Sequence, residues 1–376
     1  MSTISSTVEN PLKQLTRFGQ SIWLDYIRRS LMTSGELRRM VEEDGLGGMT
    51  SNPSIFEKAI AGGEEYADYL KQLRTDKSLD AKGVYERLAI RDIQDAADVL
   101  RPVYASSNRR DGYVSLEVAP YLAHKTQDTI DEAFRLWKTV DRPNLMIKIP
   151  GTPAGVPAIE TALREGVNVN VTLLFAQEMY EEVAWAYVRA LEQRAAAGRE
   201  LAGMAGVASF FVSRIDSAVD ALLDTRLPQA DDAQKKLLES VRSKVAIANA
   251  KLAYERYQRI FSGPRWDALA AKGAQTQRVL WASTSTKDPK LRDVLYIEEL
   301  IGKDTVNTIP PATYDAFKDH GRPRASLTED VEGARRVMAD LAEAGISMEA
   351  VTTDLVAAGV KQFEDAFTKL LAAVQQ

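Results

Sequence analysis

The chain has 376 residues, of which 45% are hydrophobic and 27% charged, which is typical of a globular protein with a substantial core. Its formal net charge of -5, from 48 basic and 53 acidic residues, argues against a basic nucleic-acid-binding surface but allows a local anion site. With no cysteine and two histidines, the sequence excludes disulfides, thiolate metal sites and cysteine nucleophiles, and argues against a histidine-based triad or metal centre.

Neither targeting nor membrane segments are recognisable in the sequence. Met1–Asn10 is rich in Ser and Thr and lacks the apolar core of a signal peptide. No stretch approaches the roughly 20 apolar residues that are needed to span a bilayer. We therefore expect a cytoplasmic protein that binds neither membrane nor nucleic acid.

Short β-prone runs recur along the whole chain. In chain order they are Ile22–Asp25, Gly47–Ser51, Tyr113–Val118, Leu145–Pro150, Asn168–Phe175, Gly206–Val212, Arg278–Ser283 and Thr305–Pro310. Helical patterns lie between them, as in Ser54–Ile60, Pro120–Val140, Ala154–Arg164 and Ala176–Ala197. This alternation without hairpin signals indicates right-handed βαβ units and a parallel sheet. Eight such strands predict a closed (β/α)8 TIM barrel in the α/β class.

A barrel of this kind needs about 250 residues, so the chain has well over a hundred to spare. We predict one domain, 1–376, with extra helices at about 64–101 after the second strand and at about 213–273 after the sixth. The latter insertion includes a predicted helix over Ala230–Phe261. A helical tail at about 326–376 is split at Gly345. Its last helix carries an apolar stripe that should pack on the barrel or across its mouth: Leu355, Val356, Phe363, Phe367, Leu370 and Leu371.

Lys148 is an unusual residue because it lies within the apolar run Leu145–Pro150. Side chains alternate between the faces of a strand, so Lys148 shares a face with Met146, and Ile147 and Ile149 share the other. Burial lowers the pKa of a lysine and makes its free amine available as a nucleophile. The alternative is a lysine at a strand end whose amine reaches solvent.

The same alternation places further polar residues on the inward face near the carboxyl ends of strands, where barrel enzymes build their active sites. These residues are Asp25, Ser115, Glu117, Asn170, Thr172 and Ser209, with Phe211 on the same face as Ser209. Val169, Val171, Leu173 and Phe175 should face the helices instead.

Each polar residue also has a purely structural interpretation. Asp25 and Asn52 could cap the helices that follow them. Thr172 is an ordinary strand residue by propensity. Glu117 needs a partner if it faces inward, and Lys148 on the next strand could supply a structural ion pair. Their joint occurrence at strand ends favours a catalytic site.

The chain resembles the transaldolases over nearly its full length, and most closely the longer bacterial branch of that family. The motifs that carry the resemblance are Trp23–Asp25, Thr50–Phe56, Val114–Val118, Ile147–Thr152, Asn168–Phe175 and Ala208–Asp216. Thr50–Phe56 and the strand that carries Lys148 are specific to this family when they occur together.

The resemblance implies an enzyme that acts on small sugar phosphates in the pentose phosphate pathway. It would move a dihydroxyacetone unit from sedoheptulose 7-phosphate to glyceraldehyde 3-phosphate, giving erythrose 4-phosphate and fructose 6-phosphate. Lys148 would form a Schiff base with the ketose C2, so that neither a metal nor an organic cofactor is needed. Asp25 would take the C4 hydroxyl proton, and Glu117 and Thr172 would hold a water that relays protons.

The resemblance also implies binding roles. Asn52 and Ser209 would hydrogen-bond the hydroxyls of the three-carbon unit. Phe211 matches a position where related aldolases carry tyrosine, and phenylalanine there would favour transfer over cleavage. Arg214 matches an arginine that binds phosphate.

The phosphate site departs from the pattern of the shorter enzymes, which have a second arginine after the seventh strand. Here that stretch, Ala282–Lys287, has none. We expect Ser285 and Lys287 to take this role, although Lys287 could equally be a solvated loop residue.

Two alternative functions stay open: a class I aldolase of the fructose-6-phosphate type, and a non-catalytic barrel that binds sugar phosphates. The sequence leaves the oligomeric state undetermined.

Overall fold

The computed structural model describes residues 9–375, and it contains a closed barrel of eight parallel strands in the order β1 to β8. β8 pairs with β1 to close the barrel. The strands are β1 (Gln20–Asp25), β2 (Gly48–Thr50), β3 (Tyr113–Glu117), β4 (Leu145–Pro150), β5 (Val169–Leu174), β6 (Gly206–Phe211), β7 (Arg278–Ala282) and β8 (Thr305–Ile309). All eight predicted strands are therefore confirmed, and the (β/α)8 fold with them.

Helices surround the barrel and fill the segments between strands. They are α1 (Pro11–Gln14), α2 (Arg29–Thr33), α3 (Glu36–Arg39), α4 (Pro53–Ala61), α5 (Ala67–Leu73), α6 (Ala81–Ser106), α7 (Thr126–Val140), α8 (Gly155–Glu165), α9 (Gln177–Ala196), α10 (Ser213–Arg226), α11 (Asp232–Val241), α12 (Val245–Ile260), α13 (Pro264–Ala270), α14 (Leu295–Glu298), α15 (Pro311–His320), α16 (Val331–Glu343) and α17 (Met348–Gln375). Short 3-10 turns occupy Leu15–Phe18, Glu64–Tyr66, Pro120–Leu122 and Leu227–Gln229, and Met40–Asp44 is π-helical. None of the helices in residues 9–375 is long and apolar enough to cross a membrane.

Helices lie where the sequence predicts them, both in the inserted segments and between the strands, but two of them differ from the prediction in where they begin or end. The predicted helix over Ala230–Phe261 is wrong as a single element, because it is broken between α11 and α12. Ser243 has a φ of 55° at the break, and its backbone N–H and hydroxyl both donate to Asp220. The helix predicted over Pro120–Val140 begins with a 3-10 turn and becomes α-helical only at Thr126. The single-domain organisation stays a prediction.

The inward positions of neighbouring strands lie side by side in the barrel. Glu117 on β3 pairs in register with Lys148 on β4, and Lys148 pairs with Asn170 on β5. All three are buried. The outward positions form the main core with the helices, where Phe210 contacts both Tyr180 of α9 and Trp281 of β7.

The strand alternation fails at one place, the carboxyl end of β5. Leu173 has a φ of 59°, in the left-handed region that β-strands do not use, and the register with β6 shifts between Val171 and Leu174. Leu173 thus departs from the alternation of the strand, and its side chain lies against Gly359 of the helix α17.

The helical tail forms the predicted pair, with Gly345 in the left-handed conformation between α16 and α17. The last helix, α17, packs against α4, α6, α10 and β5. Of the predicted stripe, Phe363, Phe367 and Leu370 are buried, whereas Leu355, Val356 and Leu371 are half-buried. The helix thus lies over elements that end or begin at the carboxyl edge of the barrel.

Candidate active site

Lys148 points into the barrel, where it is only 4% exposed. Its Nζ lies 3.3 Å from Oε2 of Glu117 and donates a hydrogen bond of 3.1 Å to the carbonyl oxygen of Ser51. The amine therefore contacts protein groups rather than solvent, and the interpretation as a strand-end lysine that reaches water is wrong. Lys148 and Glu117 do form the ion pair that the sequence suggested.

Two carboxyl groups lie near this lysine, the buried Glu117 and the half-buried Asp25, and both have altered acidity. Burial raises the pKa of Glu117, and the nearby charge of Lys148 opposes that rise. Burial also raises the pKa of Asp25, opposed by the charge of Lys148, by the Thr50 hydroxyl and by the charge of Arg214. The Thr50 hydroxyl donates to Oδ1 of Asp25 at 2.6 Å. A raised pKa makes each carboxylate a stronger base, which suits both groups to accept and return protons.

One cavity of about 410 Å³ opens above Lys148 at the carboxyl ends of the strands. It brings together eight of the ten predicted site residues, namely Asp25, Asn52, Lys148, Ser209, Phe211, Arg214, Ser285 and Lys287. Such a volume is within the range of small-molecule sites. No group of three or more His, Asp or Glu side chains within residues 9–375 is placed to hold a metal ion.

Glu117 and Thr172 do not line this cavity. Glu117 borders a separate small void that is also lined by Tyr85 and Phe367. Apart from the ion pair with Lys148, the buried oxygens of Glu117 and the hydroxyl of Thr172 have no hydrogen-bond partner in the described part of the chain. Buried polar atoms of this kind are rare unless a water or ligand satisfies them.

Asn52 and Ser209 are held by hydrogen bonds that orient their side chains. Asn52 caps α4, since its Oδ1 accepts a bond of 3.0 Å from the backbone N–H of Ile55. The cap leaves its amide nitrogen as the group that can contact a ligand in the cavity. The Ser209 hydroxyl donates to Oδ1 of Asn170 at 2.7 Å, and the Asn170 amide donates in turn to Ser115. Ser209 is therefore oriented to accept a hydrogen bond from a ligand.

Positive side chains gather at another part of the same cavity. The guanidinium of Arg214 lies 5.3 Å from the ring centroid of Phe211. Lys287 donates to the hydroxyl of Ser285 at 2.8 Å, and its side chain remains partly accessible to solvent. Burial and the positive charges of Arg214 and Lys58 lower the pKa of Lys287. Neighbouring positive charges lower the pKa of a lysine when no anion is bound between them. The lowered pKa of Lys287 is therefore the property expected of an empty anion site.

Several residues of the cavity were not predicted from the sequence, among them Ser54, Lys58 and Phe363. Ser54 and Lys58 are four residues apart on α4, so they lie on one face of the helix. That spacing, just after the Asn52 cap, is the signal that could have indicated them. None of Lys58, Arg214 and Lys287 has a carboxylate within salt-bridge distance among residues 9–375.

Comparison with known proteins gives a consistent result over nearly the whole chain. Residues 22–374 match the model of the family described as transaldolase/fructose-6-phosphate aldolase. A protein named transaldolase from Trichodesmium erythraeum is 47% identical over 373 residues, covering 98% of each chain. Transaldolase 2 from Nostoc punctiforme is 50% identical over 97% of each chain. The transaldolase from Thiobacillus denitrificans is 49% identical over 97% of this chain and 99% of its own.

Proposed function

The chain belongs to the transaldolase/fructose-6-phosphate aldolase family, and we propose that it is a transaldolase that uses Lys148 as its Schiff-base lysine. The proposed reaction moves a dihydroxyacetone unit from sedoheptulose 7-phosphate to glyceraldehyde 3-phosphate, within the pentose phosphate pathway. The single observation that carries the proposal is the buried contact between Lys148 and Glu117, because Lys148 also lines a cavity with three cations that have no carboxylate within salt-bridge distance in residues 9–375. A cytoplasmic location stays a prediction.

The reaction begins when Lys148 attacks the C2 carbonyl of the ketose phosphate. An ammonium group must lose a proton before it can attack, and Glu117, 3.3 Å away, is the adjacent acceptor. The raised pKa of Glu117 supports this role, because the protonated form can then return the proton to the departing hydroxyl. Elimination of that hydroxyl as water leaves the iminium at C2.

We propose that Glu117 and Thr172 act together through one water. Both side chains are buried next to the lysine strand, and their oxygens lack hydrogen-bond partners in the described residues apart from the ion pair. A water between them would satisfy both groups and reach the reacting carbon. Neither residue lines the main cavity, which fits a proton relay better than direct binding of the sugar.

Asp25 is proposed as the base for cleavage of the C3–C4 bond. It lines the cavity, and burial raises its pKa. As it takes the C4 hydroxyl proton, the electrons of the breaking bond move into the iminium, which acts as the electron sink. The first aldehyde leaves, an acceptor aldehyde enters, and the same steps run in reverse. Asn52 and Ser209 would hold the hydroxyls of the three-carbon unit throughout.

The phosphate would bind among Arg214, Lys287 and Ser285, and we add Lys58 to this group. Arg214 can donate two parallel hydrogen bonds to phosphate, and its contact with the Phe211 ring holds it at the cavity. Lys58 supports the assignment through its position on the cavity wall and its effect on the pKa of Lys287. The three cations together carry enough positive charge to neutralise a phosphate dianion.

Product analysis separates the proposed transferase from its nearest alternative, an aldolase of the fructose-6-phosphate type. The enzyme is incubated with fructose 6-phosphate with and without erythrose 4-phosphate, and the products are quantified. A transaldolase gives sedoheptulose 7-phosphate only when the acceptor is present. Comparable release of free dihydroxyacetone without acceptor would contradict the transferase assignment, and the absence of any turnover would favour a non-catalytic binding protein.

A further inference from the structure

Phe363 of the last helix lies over the reactive end of Lys148. The Nζ of Lys148 is 5.9 Å from the centroid of its ring, and Phe363 lines the same cavity as Asp25 and Ser209. Phe363 is buried, although it belongs to a helix more than two hundred residues away in sequence. A cation and an aromatic ring at this separation attract each other.

A close contact one turn earlier holds the helix in this position. Gly359 packs on Leu173, so closely that a Cβ at position 359 would lie 2.8 Å from Cδ2 of Leu173. Leu173 reaches the helix because its left-handed backbone turns it out of the strand, directly after Thr172. Because Gly359 has no side chain and Leu173 points out of the strand, α17 packs closely on the carboxyl end of β5.

Other contacts of α17 join it to the rest of the site. The helix packs against α4, which begins after Asn52, and against α10, which carries Arg214 in its first turn. Phe363 is therefore fixed relative to the groups proposed to bind the three-carbon unit and the phosphate. Since residues 359 and 363 are four apart, they lie on the same face of the helix.

We propose that Phe363 keeps bulk water away from the carbanion carbon of the three-carbon unit bound to Lys148, and so favours transfer to the acceptor over protonation and release. This inference rests on the proposed function. The bound unit has two fates after cleavage. In transfer, its carbanion carbon forms a new carbon–carbon bond to the acceptor aldehyde, and the aldehyde oxygen takes the proton held by Asp25.

In release, the carbanion carbon instead takes a proton from a nearby water, and the hydroxide left behind is neutralised by the proton held by Asp25. In both fates a further water, the one held by Glu117 and Thr172, then adds to C2, the C2–N bond breaks, and the product leaves with the amine of Lys148 restored. That water balances the one eliminated when the iminium formed. An acceptor aldehyde is anchored by its phosphate at the cations, whereas a bulk water beside the carbanion carbon has to be held by other polar groups. The ring of Phe363 offers no such group and also stabilises the positive nitrogen.

The test measures the rate of dihydroxyacetone release from fructose 6-phosphate alone, divided by the rate of transfer to erythrose 4-phosphate. Phe363→Ser opens the space and offers a hydroxyl to water, and Phe363→Leu keeps the space apolar. We expect the ratio to rise about tenfold in the serine variant and to change less than threefold in the leucine variant. If the serine variant does not fold, Phe363→Gln replaces it with the same expectation.

Leu370→Ala is the matched control for a general weakening of the packing of α17. Leu370 is fully buried, lies two turns further along α17 and does not line the cavity. The ratio should stay at the wild-type value in this variant. An unchanged ratio in a folded serine variant would overturn the inference, and so would equal increases in the Phe363 variants and in Leu370→Ala. If wild-type enzyme showed no transfer, the proposed function itself would have failed instead.

Discussion

Glu117 and Lys148 face each other from adjacent strands, with 3.3 Å between a carboxylate oxygen and the amine and almost no access to solvent. A buried ion pair contributes little net stability, because the cost of removing both charges from water offsets their attraction. Its value here is chemical, since the pair brings a proton acceptor into contact with an amine that must lose a proton. The predictions that follow test this pair and the groups around it.

Glu117→Gln should slow the formation and hydrolysis of the imine while substrate still binds. The amide keeps the shape of the carboxylate but cannot take up a proton, and loss of a general acid–base group costs about 10²–10⁴-fold in rate. Rapid-quench trapping of the imine gives its rate of formation, and equilibrium titration gives substrate affinity. Unchanged rates in this variant would remove Glu117 from the proton relay.

Thr50→Val should move the acid limb of the pH–rate profile to higher pH. Turnover requires the ionised form of Asp25, so activity falls as the pH falls through the pKa of that carboxyl. The Thr50 hydroxyl stabilises the carboxylate, and its removal raises a pKa that burial has already raised. A hydrogen bond to a charged group is worth about 1.5 kcal/mol, which corresponds to about one pH unit.

The measurement is the acid limb of kcat against pH for both proteins. Thr50 also contacts the hydroxyl of Thr308 at 2.7 Å, so Thr308→Val serves as the control for disturbance of that pair. Its profile should shift less than that of Thr50→Val. A Thr50→Val profile that coincides with the wild type would show that Asp25 does not control the acid limb.

Lys58→Met and Arg214→Met should both raise the KM for phosphorylated acceptors. A lost charge-assisted hydrogen bond costs about 1.5–3 kcal/mol, which is about 10–100-fold in binding. Turnover with unphosphorylated glyceraldehyde as acceptor should change little in Lys58→Met. The discriminating quantity is therefore the ratio of kcat/KM values for the two acceptors.

Lys290→Met is the control for a general loss of positive charge. Lys290 is three residues from Lys287 and likewise exposed, but it does not line the cavity that Lys287 shares with Lys58 and Arg214. Its substitution should leave the ratio at the wild-type value. An equal fall in kcat/KM for both acceptors in Lys58→Met would exclude Lys58 from the phosphate site.

Asp216 should make the stability of the protein depend on pH. It is buried and accepts bonds of 2.8 Å from the backbone N–H of Ala246 and from the Tyr296 hydroxyl. Burial raises its pKa from 3.8 to about 6. Because the folded pKa is above the unfolded one, the stabilisation is complete below pH 3.8 and is lost as the pH rises through about 6.

Urea-induced unfolding of wild type and Asp216→Asn between pH 4 and 7.5 tests this expectation. Asparagine does not titrate here, so the difference between the two free energies of unfolding isolates the carboxyl group. The stability of wild type relative to the variant should fall by about 3 kcal/mol as the pH rises over this range. A difference that is constant with pH would contradict the altered acidity of Asp216.

Strand alternation was sufficient to predict the central ion pair of the candidate site from the sequence. Lys148 and Glu117 occupy inward positions on neighbouring strands, and the observed register places them side by side. The alternation held because a parallel strand with one face in a barrel and one against helices must alternate strictly. It failed at Leu173, where the left-handed backbone interrupts the two-residue alternation of the strand. No pattern in the sequence indicates this interruption.

Contacts between distant segments could not be predicted in this way. The apolar stripe of α17 indicated that Phe363 would be buried, but the stripe does not say which surface the helix covers. Lys58 likewise resembles any solvated lysine on a helix, because its proposed role depends on Arg214 of α10 and on Lys287 in the loop after β7. Both positions follow from tertiary packing rather than from local sequence.

Reduction with borohydride in the presence of fructose 6-phosphate tests the central assignment most directly. The hydride reduces the iminium to a stable secondary amine, and peptide mass mapping locates the modified residue. We predict one three- or six-carbon adduct, on Lys148 alone, and no adduct in Lys148→Ala, which should fold normally and show no turnover. An adduct on another lysine, or none on Lys148 while the wild type turns over, would contradict the account.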